Sequence, residues 1–247
     1  MLRLDQALVE RGLCESREKA KRAILAGQVR VNAQLARKSS DPVKPDDELA
    51  LDTAEKYVSR GGHKLEHALT HFELNISGLV ALDVGASTGG FTDCLLQHGI
   101  AKVFAIDVGQ GQLAWKLRRD KRVVVMEKIN ARHLTAAQFP PPFFPVDLAV
   151  IDCSFISLQK ILPAIFPLLK SDGKIIALIK PQFEAGKIEV DKARGVIRDT
   201  SIHERVLEEL REFVSAQAGL CWHDVVESPL LGPAGNKEFL VLIEKRR

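Results

Sequence analysis

The chain has 247 residues, 46% hydrophobic and 27% charged, a composition that suits one large or two modest globular domains and excludes disordered, collagenous and fibrous classes. Its longest stretch without a charge or histidine is thirteen residues, Leu134 to Val146, four of them proline. A membrane-spanning helix needs roughly 20 apolar residues, so no membrane span is expected. The net charge of +3 is uneven: residues 1–38 hold nine Lys/Arg against four Asp/Glu, or +5, which leaves −2 for the rest. A basic head suits a polyanionic partner.

The first segment, MLRLDQALVERG, lacks the apolar stretch of a secretory signal. Cys14, Cys94, Cys153 and Cys221 are scattered with no C-x-x-C pair, which points to a reducing compartment, the cytoplasm. Residues 1–55 read as a small α+β domain. Leu4, Ala7 and Leu8 recur at helical spacing behind Asp5, and Gly12 ends that helix. Ser16 is placed to cap a second helix, Arg17 to Ala26, with Ala20, Ala23 and Ile24 inward and Gly27 at its close. Val29–Asn32 alternates as a strand, Asp41–Asp47 is turn chemistry, and Glu48–Leu51 is a second strand. Residues 56–62 read as a linker.

From residue 63 to 247 the rhythm changes. Apolar runs of strand length (Leu79–Val84, Val103–Val108, Val123–Met126, Leu148–Ile151, Ile175–Ile179, Val225–Val226 and Phe239–Ile243) alternate with helical patterns. That predicts an α/β domain with a Rossmann-like parallel sheet covered on both faces, its ligand chemistry at the carboxyl ends of the strands.

The first of these strands runs into glycines: Asp83-Val84-Gly85-Ala86-Ser87-Thr88-Gly89-Gly90-Phe91. The spacing G-x-x-x-G-G is neither the dinucleotide G-x-G-x-x-G nor a P-loop. Bare backbone at a helix start allows a ligand to approach closely. The next strand ends in Asp107-Val108, and a carboxylate there suits the two hydroxyls of a ribose. An acid, glycines and a second acid so arranged are expected to bind S-adenosylmethionine, with Asp83, Gly85, Ala86, Ser87, Thr88, Gly89, Gly90, Phe91, Asp107 and Val108 as the cofactor residues.

Four charged residues stand where strand or helix ends usually carry neutral ones: Lys64, Asp152, Lys180 and Glu238. Asp152 and Lys180 end neighbouring strands and so share a rim. Removing a proton from a ribose hydroxyl calls for a base, and a lysine serves only when desolvation or a second cation favours its neutral form. Lys180 is read as that base and Lys64 as the second cation, with Asp152 and Glu238 orienting the amines.

These residues resemble a known family. DVGASTGGF sits in the place of the cofactor loop of FtsJ-like RNA ribose methyltransferases, and their Lys-Asp-Lys-Glu tetrad corresponds to Lys64, Asp152, Lys180 and Glu238. RLDQALVERGLCESREKAKRAILAGQVRVN is similar to the RNA-binding module named after small-subunit ribosomal protein S4. The two joined by YVSRGGHKLEHAL, with DCSFIS, IKPQFEAG and GNKEFL, resemble the TlyA family, known as rRNA cytidine-2′-O-methyltransferases and also labelled haemolysins. The resemblance implies ribosomal RNA, or a ribosomal subunit, as partner and a cytidine 2′-hydroxyl as methyl acceptor. Phosphate contacts are then expected at Arg3, Ser16, Arg17, Lys19, Arg22 and Arg30. The rival readings are a membrane-lytic haemolysin and a non-catalytic RNA-binding assembly factor.

Several other signals carry less. His63, His67 and His71 share a helical face, but with no H-E-x-x-H and no cysteine cluster no metal is expected. Cys153 reads as a small buried thiol rather than a nucleophile for pyrimidine carbon 5. Trp115 and Phe155 read as core residues, with stacking on the adenine or on a flipped base as the alternative. Arg194–Asp199 reads equally as a substrate loop or a solvated connector.

Overall fold

The structure, a computed structural model, describes residues 2–51 and 56–246, and within it the chain divides into two compact units, one ending at Lys56 and one beginning at Tyr57. The expected boundary at residue 55 adjoins 52–55, which lie outside the described residues together with Met1 and Arg247.

In the first unit, β1 (Leu2–Arg3) leads into α1 (Leu4–Glu10), followed by α2 (Arg17–Leu25), β2 (Val29–Val31), β3 (Gln34–Leu35), β4 (Pro42–Val43) and β5 (Leu49–Leu51). Leu4, Ala7 and Leu8 of α1 meet Ala20, Ala23 and Ile24 of α2 in one apolar core. Ser16 caps α2 by accepting from the Lys19 N–H at 3.2 Å. The strands pair antiparallel in the order β3-β2-β5, and β1 pairs with β4 inside the stretch expected to be turn alone.

The second unit contains α3 (Gly61–His71), β6 (Val80–Val84), α4 (Gly90–Gln97), β7 (Lys102–Asp107), α5 (Trp115–Arg118), β8 (Val123–Glu127), β9 (Val146–Ile151), α6 (Leu158–Ile165), β10 (Leu169–Ile179), α7 (Pro181–Glu184), α8 (Lys187–Lys192), α9 (Thr200–Ser215), β11 (Leu220–Glu227) and β12 (Phe239–Lys245). Of the stretch expected as a linker, residues 57–62 belong to this unit: Tyr57 is buried in its core and Gly61 and Gly62 open α3. Gly62 has room for no side chain because the Tyr57 ring lies against it.

The sheet has seven strands in the order β11-β12-β10-β9-β6-β7-β8. Alternate residues of each buried strand feed opposite cores: Leu82, Phe104 and Ala149 on one face, Ala81, Val103 and Leu148 on the other. The chain leaves β6 toward β7 and β8, then returns to place β9 on β6's other side, which opens a crevice at the carboxyl ends. The expectation of a parallel sheet needs correction at one edge. β6 to β10 are parallel, but β12 runs antiparallel to β10 and to β11. An apolar strand reads the same in either direction, so composition does not reveal the reversal.

Trp115 and Phe155 are not core residues. Their side chains are 71% and 90% exposed, one at the start of a four-residue helix and the other on the loop after β9. Among the described residues no helix is long and apolar enough to cross a membrane.

Candidate active site

β6 ends at Val84, and Gly85 turns the chain with φ +86° while its N–H donates to the Ile106 carbonyl at 2.8 Å. A Cβ on Gly85 would stand 2.5 Å from the Asp152 carbonyl oxygen, so the loops after β6 and β9 approach with nothing between them. Gly89, at φ +99°, opens α4, and Leu113 and Leu117 occupy the space a side chain would need.

Two adjoining cavities open on this loop. The larger, about 500 Å³, is walled by Gly85, Ser87, Asp107, Val108 and Ile129 among others. The smaller, about 290 Å³, contains Lys64, Asp152, Lys180 and Glu238 together with Ala86, Thr88, Gly90 and Phe91. Gly85, Ser87, Asp152 and Ser154 border both.

The four charged residues arrive from four elements and form two pairs. Lys180, directly after β10, pairs with Asp152, directly after β9, at 2.6 Å, and its amine donates to the Ser154 hydroxyl at 2.8 Å. Lys64, on the buried face of α3, pairs with Glu238, and both are almost wholly shielded from water. A buried ion keeps its charge only with a partner, so each member of this pair fixes the other. The second Glu238 oxygen, Oε1, is buried and has no hydrogen-bond partner among the described residues.

The reversed strand explains how Glu238 reaches this rim. Ile179 pairs with Phe239, so the residue following β10 and the residue preceding β12 lie at the same end of the sheet.

The expected cofactor residues divide. Asp107 closes β7 and faces the larger cavity, its two oxygens accepting from the Ser87 and Gly109 N–H groups at 2.8 and 2.7 Å. Val108 beside it is exposed on the cavity wall. Asp83 and Gly89 line neither cavity. Asp83 lies fully buried beneath the loop, where one oxygen accepts from the Thr92 hydroxyl at 2.5 Å and the other has no partner among the described residues. Burial pushes its carboxyl up to about 7; the Thr92 bond opposes this and the Asp152 charge adds to it.

Ser154, Ser59, Gln112 and Asn130 border the cavities without having been singled out in the sequence, because a neutral polar residue on a loop carries no spacing signal. Cys153 is half-buried, its Sγ 3.5 Å from the Val84 carbonyl oxygen. Burial and then the neighbouring Asp152 push its thiol up to about 12. A thiol held protonated is a poor nucleophile. Native protein is therefore expected to resist alkylation at Cys153 at mildly alkaline pH, read by mass spectrometry of the labelled peptide; rapid labelling would mean that the fold holds the thiol ionised.

In the first unit, several expected phosphate contacts already have structural partners. Asp5 is buried, and although burial works against its charge, hydrogen bonds from Arg3 and Arg17 hold its carboxyl at about 2. Both arginines are half-exposed and keep donors facing outward. Ser16 caps α2 and Lys19 pairs with Glu15. Arg22 is exposed with no acidic partner among the described residues, and Arg30 is exposed on β2. On α3, His67 and His71 stack and His71 lies 3.0 Å from Asp224. No group of three His, Cys, Asp or Glu side chains among the described residues is arranged to hold a metal ion.

Residues 57–245 match the FtsJ-like methyltransferase family and residues 2–49 match the S4 domain. Fold, site and these matches define an FtsJ-like methyltransferase with an S4 domain at its N-terminal end. More narrowly, the chain belongs to the TlyA family. It is 46% identical to TlyA of Mycobacterium tuberculosis, a 16S/23S rRNA (cytidine-2′-O)-methyltransferase, over 97% of this chain and 88% of that one. It is 48% identical to YqxC of Bacillus subtilis over 97% of this chain and 84% of that one. A solved structure named as a hemolysin, from Streptococcus thermophilus, superimposes with a TM-score of 0.74 at 43% identity, covering 99% of this chain and 88% of the other.

Proposed function

We propose that this protein transfers a methyl group from S-adenosylmethionine to the 2′-hydroxyl of a cytidine in ribosomal RNA, in the cytoplasm, with Lys180 as general base. The observation that carries this reading is the meeting of two amine–carboxylate pairs in one cleft that shares its wall with the glycine loop. TlyA of Mycobacterium tuberculosis, by its name, modifies cytidine ribose in 16S and 23S rRNA, which agrees with that chemistry.

The larger cavity has the size of a nucleoside site. Asp107 would hold the ribose hydroxyls of the cofactor, Val108 and Ile129 would flank its base, and residues 85–88 would border its methionine end. When bound, the cofactor supplies an electrophilic methyl group. The chain does the rest. Lys180 takes the proton from the acceptor hydroxyl as that oxygen attacks. Asp152 and Ser154 aim the amine, and Lys64, its charge held by Glu238, supplies a fixed positive charge beside the developing oxyanion.

A duplexed nucleotide cannot bring its 2′-hydroxyl into the cleft, so the target flips out. Phe155, exposed and 5.0 Å from the Phe183 ring, offers the flipped base an aromatic face. The S4 domain grips phosphates and so sets affinity rather than sequence choice. Mass mapping of rRNA from cells with and without the gene tests the reading. A cytidine that lacks its ribose methyl in the deletion strain is expected, and identical maps would overturn it.

A further inference from the structure

Two segments at the carboxyl ends of β9 and β10 carry the reacting groups. Residues 152–158, after β9, bear Asp152, Ser154 and Phe155; residues 180–184, after β10, bear Lys180 and Phe183. Three links cross between them. The Lys180 amine reaches Asp152 and Ser154, and the Phe183 ring lies beside Phe155. The third comes from Glu184, which lies outside both cavities and gives both carboxylate oxygens to the opposite loop. Oε2 accepts from the Ser157 hydroxyl at 2.6 Å and Oε1 from the Leu158 N–H at 2.8 Å.

These links differ in what happens to them during reaction. An amine that takes up a substrate proton must first be neutral, and until the proton arrives its hold on the Asp152 carboxylate lacks the ionic part. A ring contact fixes no register. The Glu184 link is polar, directional and independent of the reacting amine. It also acts two residues beyond Phe155, whose φ of +64° is strained for an aromatic residue and persists only if the surrounding chain holds it.

We propose that Glu184 is a positioning residue that keeps the Asp152–Leu158 segment in register with Lys180 while the amine passes between its neutral and charged forms. This inference rests on the reading of Lys180 as base.

The test uses the full-length protein, with three readouts: hydrogen exchange of the 154–158 amides without RNA, affinity for S-adenosylmethionine, and kcat on rRNA. In Glu184→Ala those amides exchange faster while those of the glycine loop do not, and kcat falls about 10- to 100-fold, the penalty of a displacement near 1 Å, while cofactor affinity falls less, since residues 152–156 form only part of the larger cavity's wall. Glu184→Gln restores most of kcat, because its carbonyl accepts from Leu158 and its amide donates to the Ser157 oxygen. Unaltered exchange in the alanine variant, or a glutamine variant as slow as alanine, overturns the proposal. Should Glu184→Ala fail to fold, Glu184→Asp keeps the charge but falls one carbon short of Ser157 and Leu158; a few-fold lower kcat with faster exchange is expected, and no change in either overturns the proposal. If the wild-type protein methylates no RNA, the Lys180 reading falls on its own, and the exchange data still decide whether Glu184 holds the loop.

Discussion

Lys180→Ala is expected to lower kcat by about 10³-fold or more, the upper part of the range for removing a positioned general base. The amine is ion-paired with Asp152 and donates to Ser154, and alanine leaves an acceptor hydroxyl without a proton acceptor at that place. Folding should survive. Asp152 is about a quarter exposed, so water can solvate the carboxylate once its partner has gone. RNA binding should survive as well, because the proposed phosphate contacts belong to the S4 domain and not to the cleft. Lys180→Arg should be nearly as slow, since a guanidinium stays protonated and cannot accept the proton. Single-turnover transfer of a labelled methyl group, read beside filter binding of rRNA, separates chemistry from binding. A Lys180→Ala enzyme within tenfold of wild type would remove lysine from the role of base.

Gly85→Ala is the second large effect. A methyl group there would stand 2.5 Å from the Asp152 carbonyl oxygen, 3.0 Å from its carbon and 3.1 Å from the Cys153 sulfur, and the first two are backbone atoms that cannot rotate aside. The residue also has φ +86°, where a side chain adds strain of order 1–3 kcal/mol. Relief requires the loop after β9 to move away from the loop after β6, which displaces Asp152 from Lys180 and widens the wall common to both cavities. Affinity for S-adenosylmethionine, measured by calorimetry, should fall at least about tenfold, and stability in denaturant should drop with it. Gly111→Ala is the control. Gly111 also has positive φ, at +74°, but nothing lies within 4 Å of its would-be Cβ, so it should cost strain alone and leave cofactor affinity intact. Equal affinity losses in the two variants would mean that the close approach at Gly85 has no bearing on the site.

How much of this was visible beforehand depends on whether the signal is local. Strand, glycine turn and helix at 79–97 follow from periodicity and from the lack of side chains at Gly85 and Gly89, both of which adopt positive φ. Ser16 announces α2 because a hydroxyl ahead of a helix has a donor to satisfy. The same local reasoning misled at Trp115 and Phe155, because burial is decided by what the rest of the chain lays over a residue, and these two stay largely exposed. It also placed Asp83 in the cofactor wall. The acid lies buried beneath the glycine loop instead, bound by the Thr92 hydroxyl of α4, and its burial comes from the helix packed over it rather than from the strand's own pattern. In the first unit, the cations at Arg3 and Arg17 were legible, whereas their hold on the buried Asp5 was not.

Local pattern therefore established the α/β class, the glycine loop, and the placement of Asp152 and Lys180 on one rim, because neighbouring parallel strands end together. It did not establish why Glu238 should join them. In a wholly parallel sheet a residue preceding its strand lies at the opposite edge, some 20 Å from the carboxyl ends, given a rise of about 3.3 Å per residue. The tertiary structure brings Glu238 back by running β12 antiparallel to β10, with Phe239 beside Ile179. Strand direction is set by how the 228–238 connection folds back and by which neighbour the strand pairs with, and these are properties of the assembled sheet.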